Sequence, residues 1–222
     1  MRSVWNASIA SALGANAGSN FCWGGSTAVR RETFERLNMR GRWRGTVSDD
    51  YALTRALRAA GLPIRFVPAC LTASIEDCTF PELFEFTTRQ LKITRVYAPR
   101  LWAFVLVSNL LFVSVFFGGL ALAVGRAAAG LPYAWPLVTV AVVFLLGLWK
   151  AFFRLRAVAL VLEDDHGRLR AGLWAHLLLW PLTGALFLCN AVAAGLSRRI
   201  VWRGIGYELK SPTETEIIGP DA

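Results

Sequence analysis

Ser48-Asp49-Asp50-Tyr51 is the stretch with the clearest capacity for chemistry. Two adjacent carboxylates stand where a helix is predicted to start, so one can cap the helix while the other faces a cavity. An ionised Asp within reach of a hydroxyl removes its proton as that hydroxyl attacks. The same pair also reads as ordinary N-terminal acids favoured by the helix dipole. Phe21-Cys22-Trp23-Gly24-Gly25-Ser26 can wall a sugar or acceptor pocket. Its glycines let a ligand approach the backbone and Trp23 offers an apolar face; the alternative is a plain loop with a packed Trp. In Arg89-Gln90-Leu91-Lys92-Ile93, Arg89 and Lys92 are three apart and so share a helix face. They could hold a diphosphate, Arg by its fork and Lys as a point charge. The other reading is a basic patch facing solvent or lipid.

Further candidates are weaker. Arg198 to Tyr207 mixes cations and aromatics after the last apolar run, which suits interfacial anchoring. His166 and His176 are unlinked, and Glu163-Asp164-Asp165 reads as a solvated loop in preference to a cation site. Cys22, Cys70, Cys78 and Cys189 form no CxxC pair, which argues against zinc and for reduced, isolated thiols.

The elements that must position these residues follow from local signals. Ser48 or Asp49 caps a helix whose stripe is Tyr51, Leu53, Ala56, Leu57 and Ala60, ended by Gly61 and blocked by Pro63. Arg31–Leu37 predicts a short helix, Ile9–Leu13 a weak one, and Met39–Val47 a basic loop. Thr27–Val29, Ile64–Val67 and Leu71–Ser74 predict strands. Pro81 starts a helix to about Tyr97, read as amphipathic and lying at a membrane surface (81–100).

The chain has 222 residues, 55% hydrophobic and 18% charged, with mean hydropathy +0.45. Three runs lack formal charge: Leu101–Gly125, Leu131–Trp149 and Ala171–Ser197. Each can cross a hydrocarbon core, which takes about 20 helical residues. The predicted spans are 101–125, 132–152 and 172–196, followed by a basic then acidic tail, 198–222. This excludes a purely soluble, disordered or disulfide-scaffold protein. A net charge of +9 invites a nucleic-acid reading, but the basic residues flank apolar runs, where anionic headgroups attract them. Arg89, Lys92, Arg95 and Arg100 precede the first span, the first loop has Arg126 alone, and the second has five cations. That asymmetry predicts a cytosolic soluble part, while a third span would put Arg198, Arg199, Arg203 and Lys210 outside.

In this order, FCWGGSTAVRRETFERL (21–37), VSDDYALTRALRAAGLPIRFVP (47–68), RQLKI (89–93), the apolar runs and RRIVWRGIGYEL (198–209) resemble the C-terminal half of a family 2 membrane glycosyltransferase, ceramide glucosyltransferase-like and bacterial. The resemblance implies an α/β fold with an α-helical membrane part: a partial GT-A-like domain (1–80), the interfacial helix and three transmembrane helices. It makes Asp50 the general base and Asp49 the acid beside it. Gly24, Gly25 and Ser26 then line the acceptor side, and Arg89, Gln90 and Lys92 belong to the substrate-binding (Q/R)xxRW motif. Lys92 keeps the charge of the family's Arg, whereas Ile93 replaces its Trp.

The family's early Asp and DxD motif have no counterpart before residue 50. The resemblance therefore implies the second half of a longer domain, with the Mg or Mn ion and its ligands in the missing N-terminal half. With that half supplied, Asp50 would deprotonate a lipid acceptor such as ceramide. The oxygen would then displace the diphosphate of a nucleotide-sugar, UDP-glucose, with inversion. The competing reading is a catalytically incomplete membrane module that binds lipid or a partner. A transporter would need polar residues at depth in the spans, which hold only Asn109, His176, Asn190 and a few Ser/Thr.

Overall fold

The computed structural model describes residues 1–24, 26–73, 77–162 and 165–220. Gly25, Glu163 and Asp164 lie outside the described residues, as does Ser74 at the end of one predicted strand. The chain divides into two compact units: residues 9–103 with 190–222, and residues 1–8 with 104–189.

In the first of these, helices α2 (Arg31–Arg36), α3 (Met39–Trp43) and α4 (Asp49–Ala59) form a small helical cluster. Ser48 caps α4, and Gly61 after it adopts φ +66, as the Ser, Gly and Pro signals predict. Its buried face, Leu53, Ala56 and Leu57, packs with Cys22 and Met39. Arg58 holds the preceding loop by donating to the Ser19 and Asn20 carbonyls at 3.1 and 3.0 Å. Residues predicted as a basic loop form α3 instead.

The next helix, α5 (Phe80–Tyr97), opens with a capping box between Thr79 and Glu82. Through Ala98 it runs into α6 (Pro99–Ala128). The C-terminal segment, expected as a tail, is a sheet: β1 (Arg199–Trp202), β2 (Ile205–Ser211) and β3 (Glu214–Pro220), antiparallel in that order. The β1–β2 turn uses Arg203 and Gly204 at φ 54 and 75, the left-handed pair a two-residue hairpin requires. Ile200 and Leu209 from this sheet bury Ile93 and Tyr97 of α5. The side of α5 that carries Ile93 and Tyr97 is thus covered by the sheet.

Thr27–Val29, Ile64–Val67 and the described part of Leu71–Ser74 are not strands. A strand exists only through ladder bonds to a neighbour, and no described segment pairs with them. The described fold is mixed, helical with one small antiparallel sheet, although the sheet is built from the C-terminal segment and not from the strands that were expected.

In the other unit, α6 and α7 (Ala134–Val161) are long and apolar enough to cross a bilayer. The third predicted span, 172–196, is broken into α9 (Leu173–Leu178) and α10 (Trp180–Leu196), after the short α8 (His166–Ala171). Pro181 sits at the break: it has no N–H for the carbonyl four residues back, and its ring clashes with that turn. The 17 residues of α10 make it a shorter apolar helix than α6 and α7. Glycines let these helices approach closely: a Cβ on Gly147 would strike the Trp180 indole, and one on Gly184 would lie 2.7 Å from the Phe112 ring. Trp180 is itself held among Phe112, Phe116 and Phe144.

Candidate functional site

The first residues of a helix carry backbone N–H groups with no intrahelical partner. At α4 those donors organise the acids. Asp50 Oδ1 accepts from Tyr51 N at 2.7 Å and from the Ser48 hydroxyl. Its other oxygen, Oδ2, accepts from Gly24 N at 3.2 Å. Two carboxylate oxygens offer about four acceptor positions. Among the described residues three are taken, two on Oδ1 and one on Oδ2. Oδ2 is thus the oxygen with an acceptor position open.

The loop that supplies Gly24 brings its Cα against both acids: a Cβ there would lie 3.5 Å from Asp50 Oδ2 and 4.0 Å from Asp49 Oδ1. Glycine keeps this side of the carboxylate uncovered. Asp49 is exposed, and its carbonyl is fixed by the Trp43 indole N–H at 3.1 Å. Two other contacts hold the loop: Cys22 N donates to Thr54 Oγ1 at 2.9 Å, and the Ser26 hydroxyl donates to the Cys70 carbonyl at 2.9 Å. Burial pushes the Cys22 thiol above its ordinary pKa, so it packs as a neutral group.

Asp50 is tied to α5 through its neighbour. The Tyr51 hydroxyl meets Thr94 Oγ1 at 2.9 Å, and Thr94 donates to the Gln90 carbonyl at 2.8 Å. The Tyr51 and Tyr97 rings lie 5.6 Å apart, and the Tyr97 hydroxyl accepts from Val47 N at 3.0 Å, just before the cap. Burial raises the Tyr51 pKa; the Thr94 bond lowers it, and the Asp50 charge raises it further. The role of Tyr51, Thr94 and Tyr97 in holding the acid is not evident from sequence. Its one signal is that Gln90, Thr94 and Tyr97 recur at i, i+4 and i+7, one face of a helix.

Arg89 and Lys92 go elsewhere. Arg89 Nη1 donates to the Val201 carbonyl at 3.2 Å, pairs with Glu85 at 3.4 Å and lies 5.7 Å over the Phe86 ring. Lys92 Nζ donates to the Arg199 carbonyl at 2.6 Å. These alternate carbonyls belong to β1, which among the described residues pairs with β2 alone, so the two cations cover the sheet edge on its other side. Burial lowers the pKa of both groups. Lys92 has three N–H donors and Arg89 five, so each retains donors for another acceptor.

Gly24, Asp49 and Asp50 therefore meet, with Ser26 anchoring their loop, while Gln90 contributes its carbonyl to the α5 contact with Tyr51. The described residues bring together no group of three His, Cys, Asp or Glu side chains.

A short acidic helix start with one oriented carboxylate, backed by a second helix, defines a candidate transfer site. The chain matches the family model of glycosyl transferase family 21 over residues 6–215 and belongs to that family. No curated protein and no solved structure matches it.

Proposed function

We propose that this protein transfers glucose from UDP-glucose to a lipid alcohol of the ceramide type, inverting the anomeric centre. The observation that carries the reading is the open acceptor position on Asp50 Oδ2, on a carboxylate held from three sides at a helix start. Asp50 Oδ2 takes the acceptor hydroxyl's proton as the oxygen attacks, and the C–O bond to the diphosphate breaks on the opposite face. Gly24 leaves room for the acceptor, and Ser26 fixes its loop; Gly25 is proposed for the acceptor side from the resemblance alone. Asp49, exposed beside the base, and Gln90 bind substrate hydroxyls. Arg89 and Lys92 use their remaining donors on the departing diphosphate.

The protein sits in a bacterial inner membrane as a multi-pass chain with the transfer site on the cytoplasmic side. Arg89, Lys92, Arg95 and Arg100 precede the apolar stretch 101–125 within α6 and Arg126 alone follows it, the asymmetry of an inside-to-outside crossing. The continuity of α5 with α6 supports a lipid acceptor, since a bilayer substrate leaves the membrane only at high cost. The test is product analysis. Membranes carrying the protein are given UDP-glucose and ceramide, and the organic-soluble product is examined by NMR. A β-glucoside is expected; an α-glucoside, or no sugar in the lipid fraction, overturns the reading.

A further inference from the structure

Within the unit formed by residues 1–8 and 104–189, a polar cluster lies among apolar helices. Arg154, near the end of α7, donates from Nη1 to Ser8 Oγ at 3.0 Å. Among the described residues its Nε and Nη2, both buried, have no hydrogen-bond partner. His176 on α9 is 5% exposed; its Nε2 meets Ser3 Oγ at 2.9 Å, and its buried Nδ1 has no partner among the described residues. Ser3 and Ser8 belong to one short helix, α1 (Arg2–Ala10), so it bridges both side chains.

A buried donor without an acceptor costs free energy, and a buried charge without a counter-charge costs more. No carboxylate among the described residues pairs with Arg154. The unpartnered atoms are also not a random pair. Nε and Nη2 form the side edge of the guanidinium, whose two parallel N–H bonds match two oxygens of one oxyanion. Arg154 stands two residues beyond the apolar stretch of α7 expected to span the bilayer, with Lys150 and Arg156 nearby in the chain. That is the depth of lipid phosphates.

We propose that Arg154, supported by His176 and the α1 serines, binds the phosphate oxyanion of a membrane lipid headgroup. Nε and Nη2 take two phosphate oxygens, and His176 Nδ1–H donates to a third while Nε2 accepts from Ser3. No bond is made or broken in the lipid. The site is independent of Asp50 and of the transfer reaction.

The test uses the full chain in detergent, with thermal stabilisation and native mass spectrometry as readouts. The probes are phosphatidic acid, diacylglycerol of the same acyl chains, and inorganic phosphate. Phosphatidic acid is expected to bind at least about tenfold more tightly than diacylglycerol, and Arg154→Gln to lose that preference. Arg154→Lys, which keeps the charge but not the fork, is expected to retain only part of it. Without lipid, the melting temperature of Arg154→Gln should be no lower than that of the parent chain, because an uncompensated buried cation has been removed. Stabilisation by inorganic phosphate that Arg154→Gln abolishes supports the same oxyanion site with a free ion as its source. Equal binding of the two lipids with no response to phosphate overturns the proposal. So does an undiminished preference in both Arg154 variants. If Arg154→Gln does not fold, Arg154→Lys and His176→Gln decide by the same preference.

Discussion

Asp50 is set apart from Asp49 by its neighbours rather than by its type. Both are aspartates in the first turn of α4, but Asp50 is held by Ser48, Tyr51 N and Gly24 N, while Asp49 is exposed. Ser48 serves two ends, accepting from Tyr51 N as the cap and donating to Asp50. Ser48→Ala should therefore cost about 1 kcal/mol of stability and lower kcat with little change in KM. Urea unfolding and steady-state kinetics measure the two, and an unchanged kcat would detach Ser48 from the base. Tyr51 makes a second residue-scale prediction. Its folded pKa is raised above the ordinary 10.0, chiefly by burial, so the folded state favours the neutral phenol. Its contribution is fully present below the ordinary value and is lost as pH rises through the raised folded one. Relative to Tyr51→Phe, the parent chain should lose stability from about pH 10 upward. Parallel alkaline curves for the two would contradict that assignment. Lys92, depressed by burial, acts with the opposite sign below its ordinary 10.5 and, being present in both chains, cancels in this comparison.

At the scale of elements, the C-terminal sheet holds α5 in place. Leu209 is fully buried against Ile93, Tyr97 and Ile200, so Leu209→Ala should cost about 2–5 kcal/mol, read by thermal unfolding. A loss below that range would mean the sheet is dispensable to α5. In the apolar unit, Gly147→Val should destabilise by about 1–3 kcal/mol, because the indole it would strike is wedged among three phenylalanines. Some of these elements were legible in the sequence and others were not. Helix α4 declared itself through Ser48, a period of 3.6, Gly61 and Pro63, all local signals. So did α5, although its capping box lies just before the predicted start. The sheet was hidden because its strands are short and carry Arg199, Glu208, Lys210, Glu214 and Glu216, which read as a charged tail. The destination of Arg89 and Lys92 was hidden with it, since nothing in RQLKI reveals an open strand edge over a hundred residues away. The third apolar run met a span's length criterion, but Pro181 interrupts it.

For the whole molecule, two helices that are long and apolar enough to cross a bilayer point to a membrane association, and membership of glycosyl transferase family 21 joins that to sugar transfer. Alkaline carbonate washing of membranes should leave the chain in the pellet; release into the supernatant would contradict insertion of α6 and α7. The charge on Asp50 is the central element of the functional account. Asp50→Asn preserves the side chain's shape and an oxygen for Ser48 and Tyr51 N, but removes the proton acceptor. The decisive measurement is transfer of labelled glucose to lipid by membranes carrying the protein or its Asp50→Asn form at equal expression. The account predicts a loss of about a hundredfold to ten-thousandfold in kcat with the melting temperature kept. Turnover equal to that of the unsubstituted protein would contradict it.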